Sequence, residues 1–479
     1  MTPFNEQADE RTLFGVNGRG KAPVTAKDHQ PTASPRKTLR STRLGATVAH
    51  LGWASSGGAV SKLATLLTTV AGARVLGPSW FGVYASLHAS ADLSAGCLDF
   101  GVSQLLSREL ASGRLSAAEA IKQALRLRAK TFAGWLLIFV IGVAVATRNE
   151  KMPVGVILTF GVASLCIAAY LIPLAILRGA LEFRGYAFSL AWGRWLTASI
   201  ALAALLSNGM LSGLETFAWA TLLGEGLTLC LASSMAWRAE IRQSRFMQVN
   251  NALLSLREAV PFAAIGIINL LYNRFDIVIL GGLSSMREVS QYAPASRIQD
   301  LLMMVPSTLG LVVFSVVSTD WCMPGGPERV KKLVEQAAII GFLASVPFTI
   351  AGFAVAARLV PLILGSAYSG SVTPTRVIIC FFPAAIFAAP LTWGLAAIGR
   401  NTDTVKIFAL TGAVAVALHL LLDRRYGAIG GAIASFVREP AALILAIILA
   451  TRAGIVDLRP ATALLAARSR LRRMGSACR

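Results

Sequence analysis

Runs of about 20 mainly apolar residues recur along most of this chain, the length a helix needs to cross the roughly 30 Å hydrocarbon core of a bilayer. Twelve such runs are present, near 46–70, 80–105, 131–147, 153–177, 186–206, 215–237, 260–282, 291–318, 335–356, 372–398, 405–422 and 427–450. The first is diluted by Ser55, Ser56, Gly57, Gly58, Ser61 and Lys62, which favours close helix packing or a water-lined face over lipid. With 55% hydrophobic and only 14% charged residues, the chain lacks the polar surface of a soluble enzyme.

The charge is uneven. Lys and Arg number 45 against 24 Asp and Glu, a formal +21. The basic residues gather in the two tails and in alternate links near 106–130, 178–184, 238–258, 319–333 and 399–406, while the opposite links hold only Arg74, Arg148, Lys151, Arg287, Arg358, Arg424 and Arg425. The positive-inside rule therefore places both termini in the cytoplasm, and the excess charge is topogenic rather than a nucleic-acid footprint. The tract from Ala117 to Lys130 alternates apolar and basic residues at helical spacing and is expected to lie along the inner membrane surface.

These features predict an all-α polytopic membrane protein. Its expected parts are a disordered basic cytoplasmic tail (1–45), an N-terminal six-helix lobe (46–237), a cytoplasmic amphipathic linker (238–259), a C-terminal six-helix lobe (260–450) and a basic cytoplasmic tail (451–479). An internal repeat supports two lobes around a central cleft. Tyr84-Ala85 precedes Asp92-Leu93 as Tyr292-Ala293 precedes Asp300-Leu301, each after a Leu-Gly pair, Leu76-Gly77 and Leu280-Gly281, and Glu225 aligns with Arg438-Glu439.

Ionisable residues at membrane depth are costly against lipid and point to a bundle interior or watery cavity. His88, Asp92, Asp99 and Ser103 fall within about 60° on a helical wheel. Asn269, Tyr272, Asn273 and Asp276 share one face of the seventh run, with Arg274 nearly opposite. Glu225 stands between two glycines as a lone carboxylate suited to taking up a proton, Arg438 and Glu439 precede a kink-prone Pro440, and Arg194 lies between Trp192 and Trp195. The alternative for each of these charges is a static interhelical salt bridge or, for Lys62 and Arg297, a snorkelling chain near an interface. No heme, nucleotide or Cys/His metal pattern accompanies these charges, and no metal or cofactor is expected.

Several stretches resemble the polysaccharide flippases (Wzx type) of the multidrug/oligosaccharidyl-lipid/polysaccharide exporter superfamily: Arg74-Val-Leu-Gly-Pro-Ser-Trp-Phe-Gly-Val-Tyr84, Tyr272-Asn-Arg-Phe-Asp-Ile-Val-Ile-Leu-Gly281, Tyr292 to Ile298, Leu359 to Tyr368, Ala397 to Arg400, and Tyr426 to Ala432. The resemblance covers roughly residues 45–450. It implies transfer of an undecaprenyl-pyrophosphate-linked oligosaccharide across a bacterial inner membrane by alternating access, without enzymatic chemistry, for surface or exopolysaccharide biosynthesis. A polysaccharide polymerase is a possible partner, and a proton, sodium ion or the membrane potential would drive the cycle.

A pyrophosphate crossing a low-dielectric space needs cationic partners, and an arginine offers a bidentate fork. Arg274, Arg438 and Arg194 are the candidates, with Arg297 and Lys62 behind them. Asp92, Asp276, Glu225, Glu439 and Asp300 would pair with these cations or carry coupling charge. Two alternatives stand beside this reading: a cation-coupled multidrug antiporter of the same superfamily and a non-transporting membrane scaffold. Lipid II flippases of that superfamily have fourteen spans, which makes a peptidoglycan precursor the less expected cargo.

Overall fold

A computed structural model describes residues 35–112, 114–147, 153–207, 213–243 and 275–457, with the isolated positions 254, 260 and 266. The chain divides into two compact units, Met1–Thr47 and Val48–Arg479. The regular structure described is helical throughout, and among the described residues nine helices are long and apolar enough to cross a membrane. The protein is an all-α polytopic membrane protein.

The first six helices are α1 (Pro35–Asp99), α2 (Val102–Ala111), α3 (Ala117–Ala146), α4 (Val154–Gly179), α5 (Phe183–Leu206) and α6 (Leu214–Gln243). They are followed by α7 (Phe275–Leu283), α8 (Met286–Leu302), α9 (Met304–Asp320) and α10 (Gly326–Leu364). A 3-10 turn (Ser366–Ser371) leads to α11 (Val372–Ile379), α12 (Phe382–Ala397) and α13 (Asn401–Arg452).

Nine rather than twelve has a physical reason. A straight helix of the 65 residues of α1 would be about 100 Å long, three times the hydrocarbon thickness. It is broken at Gly77, whose φ of 69° and ψ of 173° leave helical space just before Pro78. In the same way α13 holds the last two apolar runs, divided at Gly427 (φ 52°, ψ −131°), while helical geometry continues through Pro440. The run at 260–282 falls largely outside the described residues, where α7 is the part seen.

Two sequence expectations change. Ala117–Lys130 is no separate surface helix: it is the first half of α3, capped by Ser116, whose side chain accepts from the Glu119 amide, and runs on into the apolar span. Ala120, Ala124 and Leu127 bury one face, and the 30 residues make a helix longer than the hydrocarbon is thick. The Leu280-Gly281 pair lies inside helical α7, so it does not match the break at Leu76-Gly77.

The buried apolar residues form three clusters. One draws on both halves of the chain, joining Ala71, Phe81, Tyr84, Phe160 and Phe217 to Ile277, Tyr292, Tyr368, Phe381 and Ala432. A second belongs to the N-terminal half, with Leu98, Leu105, Leu127, Trp135, Leu174 and Ala236. A third belongs to the C-terminal half, with Val317, Val334, Leu395, Ile407 and Ala446. The shared cluster sits at the helix ends whose links are poor in basic residues; the two private clusters sit at the ends whose links are rich in them. Large apolar side chains left exposed, such as Phe348, Ile350, Leu206 and Leu421, form a surface matched to lipid.

Candidate functional site

Four of the charged side chains, Asp92, Glu225, Arg438 and Glu439, lie between the shared cluster and a private one. On α1, Asp92 follows Ala91 of the shared cluster and precedes Ala95 of the N-terminal one. On α6, Glu225 lies between Ala218 and Ala232, and on α13 Arg438 and Glu439 lie between Ala432 and Ala442, members of different clusters in each case.

In the N-terminal half, Arg194 Nη1 donates to Glu225 Oε1 at 2.5 Å, linking α5 to α6. The local sequence explains the approach. Gly193 and Gly224 each precede one member of the pair; a Cβ on Gly193 would fall 1.8 Å from Thr228 Oγ1, and one on Gly224 2.0 Å from Thr197 Oγ1. Only a missing side chain lets the two backbones come this close. Glu225 also lies within electrostatic reach of His88 and Asp92 and has Tyr170 as a hydrogen-bonding neighbour. His88 Nδ1 is 3.5 Å from Asp92 Oδ2 on the same face of α1. Glu225 is therefore not the lone carboxylate expected from the sequence.

In the C-terminal half, the Tyr292 hydroxyl donates to Asp276 Oδ2 at 2.6 Å and lies 2.8 Å from Ser435 Oγ, tying α7, α8 and α13 together. Asp276 Oδ1 accepts from the Ile277 amide. Arg438 Nε donates to Glu439 Oε1 at 3.2 Å, both side chains being buried. The repeated tyrosines act alike: Tyr84 stands 3.4 Å from Thr221 Oγ1 as Tyr292 stands by Ser435, and each hydroxyl partner is one helical turn before a glutamate, Glu225 or Glu439.

A seam joins the halves. Lys62 Nζ donates to the Asp300 carbonyl oxygen at 2.5 Å, and Arg297 Nη1 donates to Asp300 Oδ2 at 3.3 Å. Arg297 is buried. Lys62 and Arg297 are thus held by Asp300 rather than snorkelling. Arg274, with Asn269, Tyr272 and Asn273, lies outside the described residues.

Two buried pairs escaped the sequence reading. Arg128 pairs with Asp99 and donates to the Ala168 carbonyl at 2.5 Å, and Asp99 also accepts from Ser103 Oγ at 2.7 Å. The stripe on the second run is therefore split, with His88 and Asp92 near Glu225 and Asp99 turned to α3. On α13, His419 Nδ1 is 2.9 Å from the wholly buried Asp423. Their i, i+4 spacing beside an apolar run was the available signal. Among the described residues no group of three His, Cys, Asp or Glu side chains is placed to hold a metal ion.

Solved structures share this fold. The lipid II flippase MurJ in an inward closed conformation aligns over 83% of this chain and 87% of its own, with 12% identity and a TM-score of 0.62. An inward-facing multidrug resistance MATE family transporter of the MOP superfamily aligns over 82% and 94%, with 15% identity and a TM-score of 0.59. A MOP superfamily transporter from Pyrococcus furiosus, described as having a binding pocket of reverse polarity, aligns over 85% and 95%, with 14% identity and a TM-score of 0.56. The chain shares the fold of these proteins. No curated protein matches the chain by sequence. The sequence matches the family described as polysaccharide biosynthesis protein over residues 72–373, and the chain belongs to that family.

Proposed function

We propose that this protein is a flippase of the bacterial inner membrane, with both termini cytoplasmic, that moves a polyprenyl-pyrophosphate-linked oligosaccharide to the outer leaflet by alternating access. The observation that carries the reading is a set of paired cations inside the helical bundle: Lys62 and Arg297 on Asp300 at the seam between the halves, and Arg194 on Glu225 within the N-terminal half. An anionic headgroup drawn among these cations gains charge-assisted hydrogen bonds as the carboxylates release them. Because each cation has a carboxylate or carbonyl partner, the empty carrier leaves none of them without a hydrogen-bonding group. Arg438 with Glu439 supplies the corresponding cation of the C-terminal half, and Arg274 stands in the same role on the sequence alone. Membership of the polysaccharide biosynthesis family supports a glycan on the far side of the pyrophosphate. A polymerase consuming the product is the partner this reading implies.

The test is the leaflet distribution of lipid-linked oligosaccharide in cells with and without the gene, read by a sugar-modifying reagent that cannot cross the membrane. The expected result is inaccessible, inner-leaflet intermediate on deletion, restored by the parent gene but not by Arg438→Ala or Arg194→Ala. A normal distribution in the deletion strain would remove the reading and make drug efflux the next assay.

A further inference from the structure

The helix ends at the shared cluster are bound by an exchange of side chains that the transport site does not use. The last four carbonyls of any helix lack an intrahelical partner. At the end of α10, Pro361 is served by the Gly365 amide at 2.9 Å, which leaves the next carbonyls to be met from elsewhere. Arg74 meets them: its Nε donates to Ile363 at 2.7 Å and its Nη2 to Leu362 at 2.6 Å. A guanidinium suits this place twice over, having two N–H groups in a fixed fork and a positive charge facing the negative end of the helix dipole.

The C-terminal half returns the gesture. The Tyr368 hydroxyl donates at 3.0 Å to the carbonyl of Ala73, in the last turn before the break at Gly77. Both helix ends stop in the same way, at a Leu-Gly pair whose glycine has positive φ: Gly77 at 69° and Gly365 at 104°. Beside them the backbones nearly touch, since a Cβ on Gly82 would fall 1.8 Å from the Met286 carbonyl oxygen. Tyr368 is 1% exposed and stacks edge-on against Phe81 across the same junction.

We infer that Arg74 and Tyr368 form a reciprocal latch that holds the halves shut at this end and must be released for the carrier to open there. The inference rests on the alternating-access reading, which requires the shared cluster to part. Every bond in the latch crosses between halves and ends on a main-chain oxygen, so its making and breaking leaves each half's own hydrogen bonding intact. Water can take over the exposed Leu362 and Ile363 carbonyls once the ends separate. The latch is therefore a bistable contact rather than a structural staple.

The experiment uses the full chain in lipid vesicles, its native cysteines replaced, with spin labels at Ser79→Cys and Ser369→Cys, two exposed positions on opposite sides of the junction. The parent should give one dominant short distance. Arg74→Ala should add a longer-distance population, raising the open-to-closed ratio about tenfold, since two hydrogen bonds from a charged donor are lost. Tyr368→Phe removes a single oxygen, keeps the ring packed on Phe81, and should shift the ratio in the same direction by less. Unchanged distances in both variants would overturn the latch. The distances do not depend on cargo, so a parent protein that opens and closes yet leaves lipid-linked glycan where it was would sink the flippase reading alone.

Discussion

Lys62 Nζ lies 2.5 Å from the main-chain oxygen of Asp300, and this contact ties the first helix of the N-terminal half to the eighth helix of the chain. A lysine reaching a backbone carbonyl 238 positions along the chain orders a four-carbon stem, which is worthwhile only where the charge has somewhere to go. Asp300 also receives Arg297, so the two cations converge on one residue.

Lys62→Met, which keeps the stem and removes the charge, should lower the rate of glycan-lipid transfer about tenfold with little change in protein level, the scale of one charge-assisted hydrogen bond. Lys62→Arg should retain part of the rate. The leaflet assay measures both, and parental transfer by the Met variant would exclude Lys62 from the pathway.

Arg194 and Glu225 should behave as a unit. Removing one member strands the other, so Arg194→Met or Glu225→Gln should each cost about 3 kcal/mol in unfolding in detergent or lipid. The double variant should recover most of that loss. A double-mutant cycle on thermal or denaturant unfolding measures the coupling, and strict additivity would mean that the 2.5 Å contact carries no mutual stabilisation.

The two repeated tyrosines predict a contrast. Tyr292→Phe leaves the buried Asp276 and Ser435 short of a partner and should destabilise by about 1–3 kcal/mol. Tyr84→Phe breaks only a 3.4 Å approach to Thr221 and should cost less than about 1 kcal/mol. Equal losses, read from unfolding of the two purified variants, would show that the hydroxyls are not what distinguishes them.

The membrane architecture was legible because a spanning helix must be long and apolar, a requirement the chain repeats wherever it crosses. That Glu225, Arg194, Asp276 and Arg438 lie within helices rather than in the links between them could be read for the same reason. Their partners could not, because pairing depends on the rotation of one helix against another, and that is set by small residues such as Gly193 and Gly224 whose meaning appears only when two backbones meet. Arg128 was misplaced because its neighbours Lys122, Arg126 and Lys130 make the tract basic as a whole, whereas packing buries one arginine on Asp99 and leaves the others exposed. Glu288 taught a similar lesson: it begins α8, yet its carboxylate accepts from the Ala428 amide at 2.8 Å and caps the arm of α13 that starts after Gly427.

The two private cores set the terms of motion. Val317, Val334 and Leu395 have their packing partners within one half of the chain, and Leu105, Leu127 and Leu174 within the other. Under the alternating-access reading proposed above, neither half would have to melt or repack for the two to part, since close-packed interiors move as blocks. On that reading the work of a cycle would be confined to a single joint, and the speed of transport would be governed by the adhesion of that joint rather than by the strength of the walls on either side.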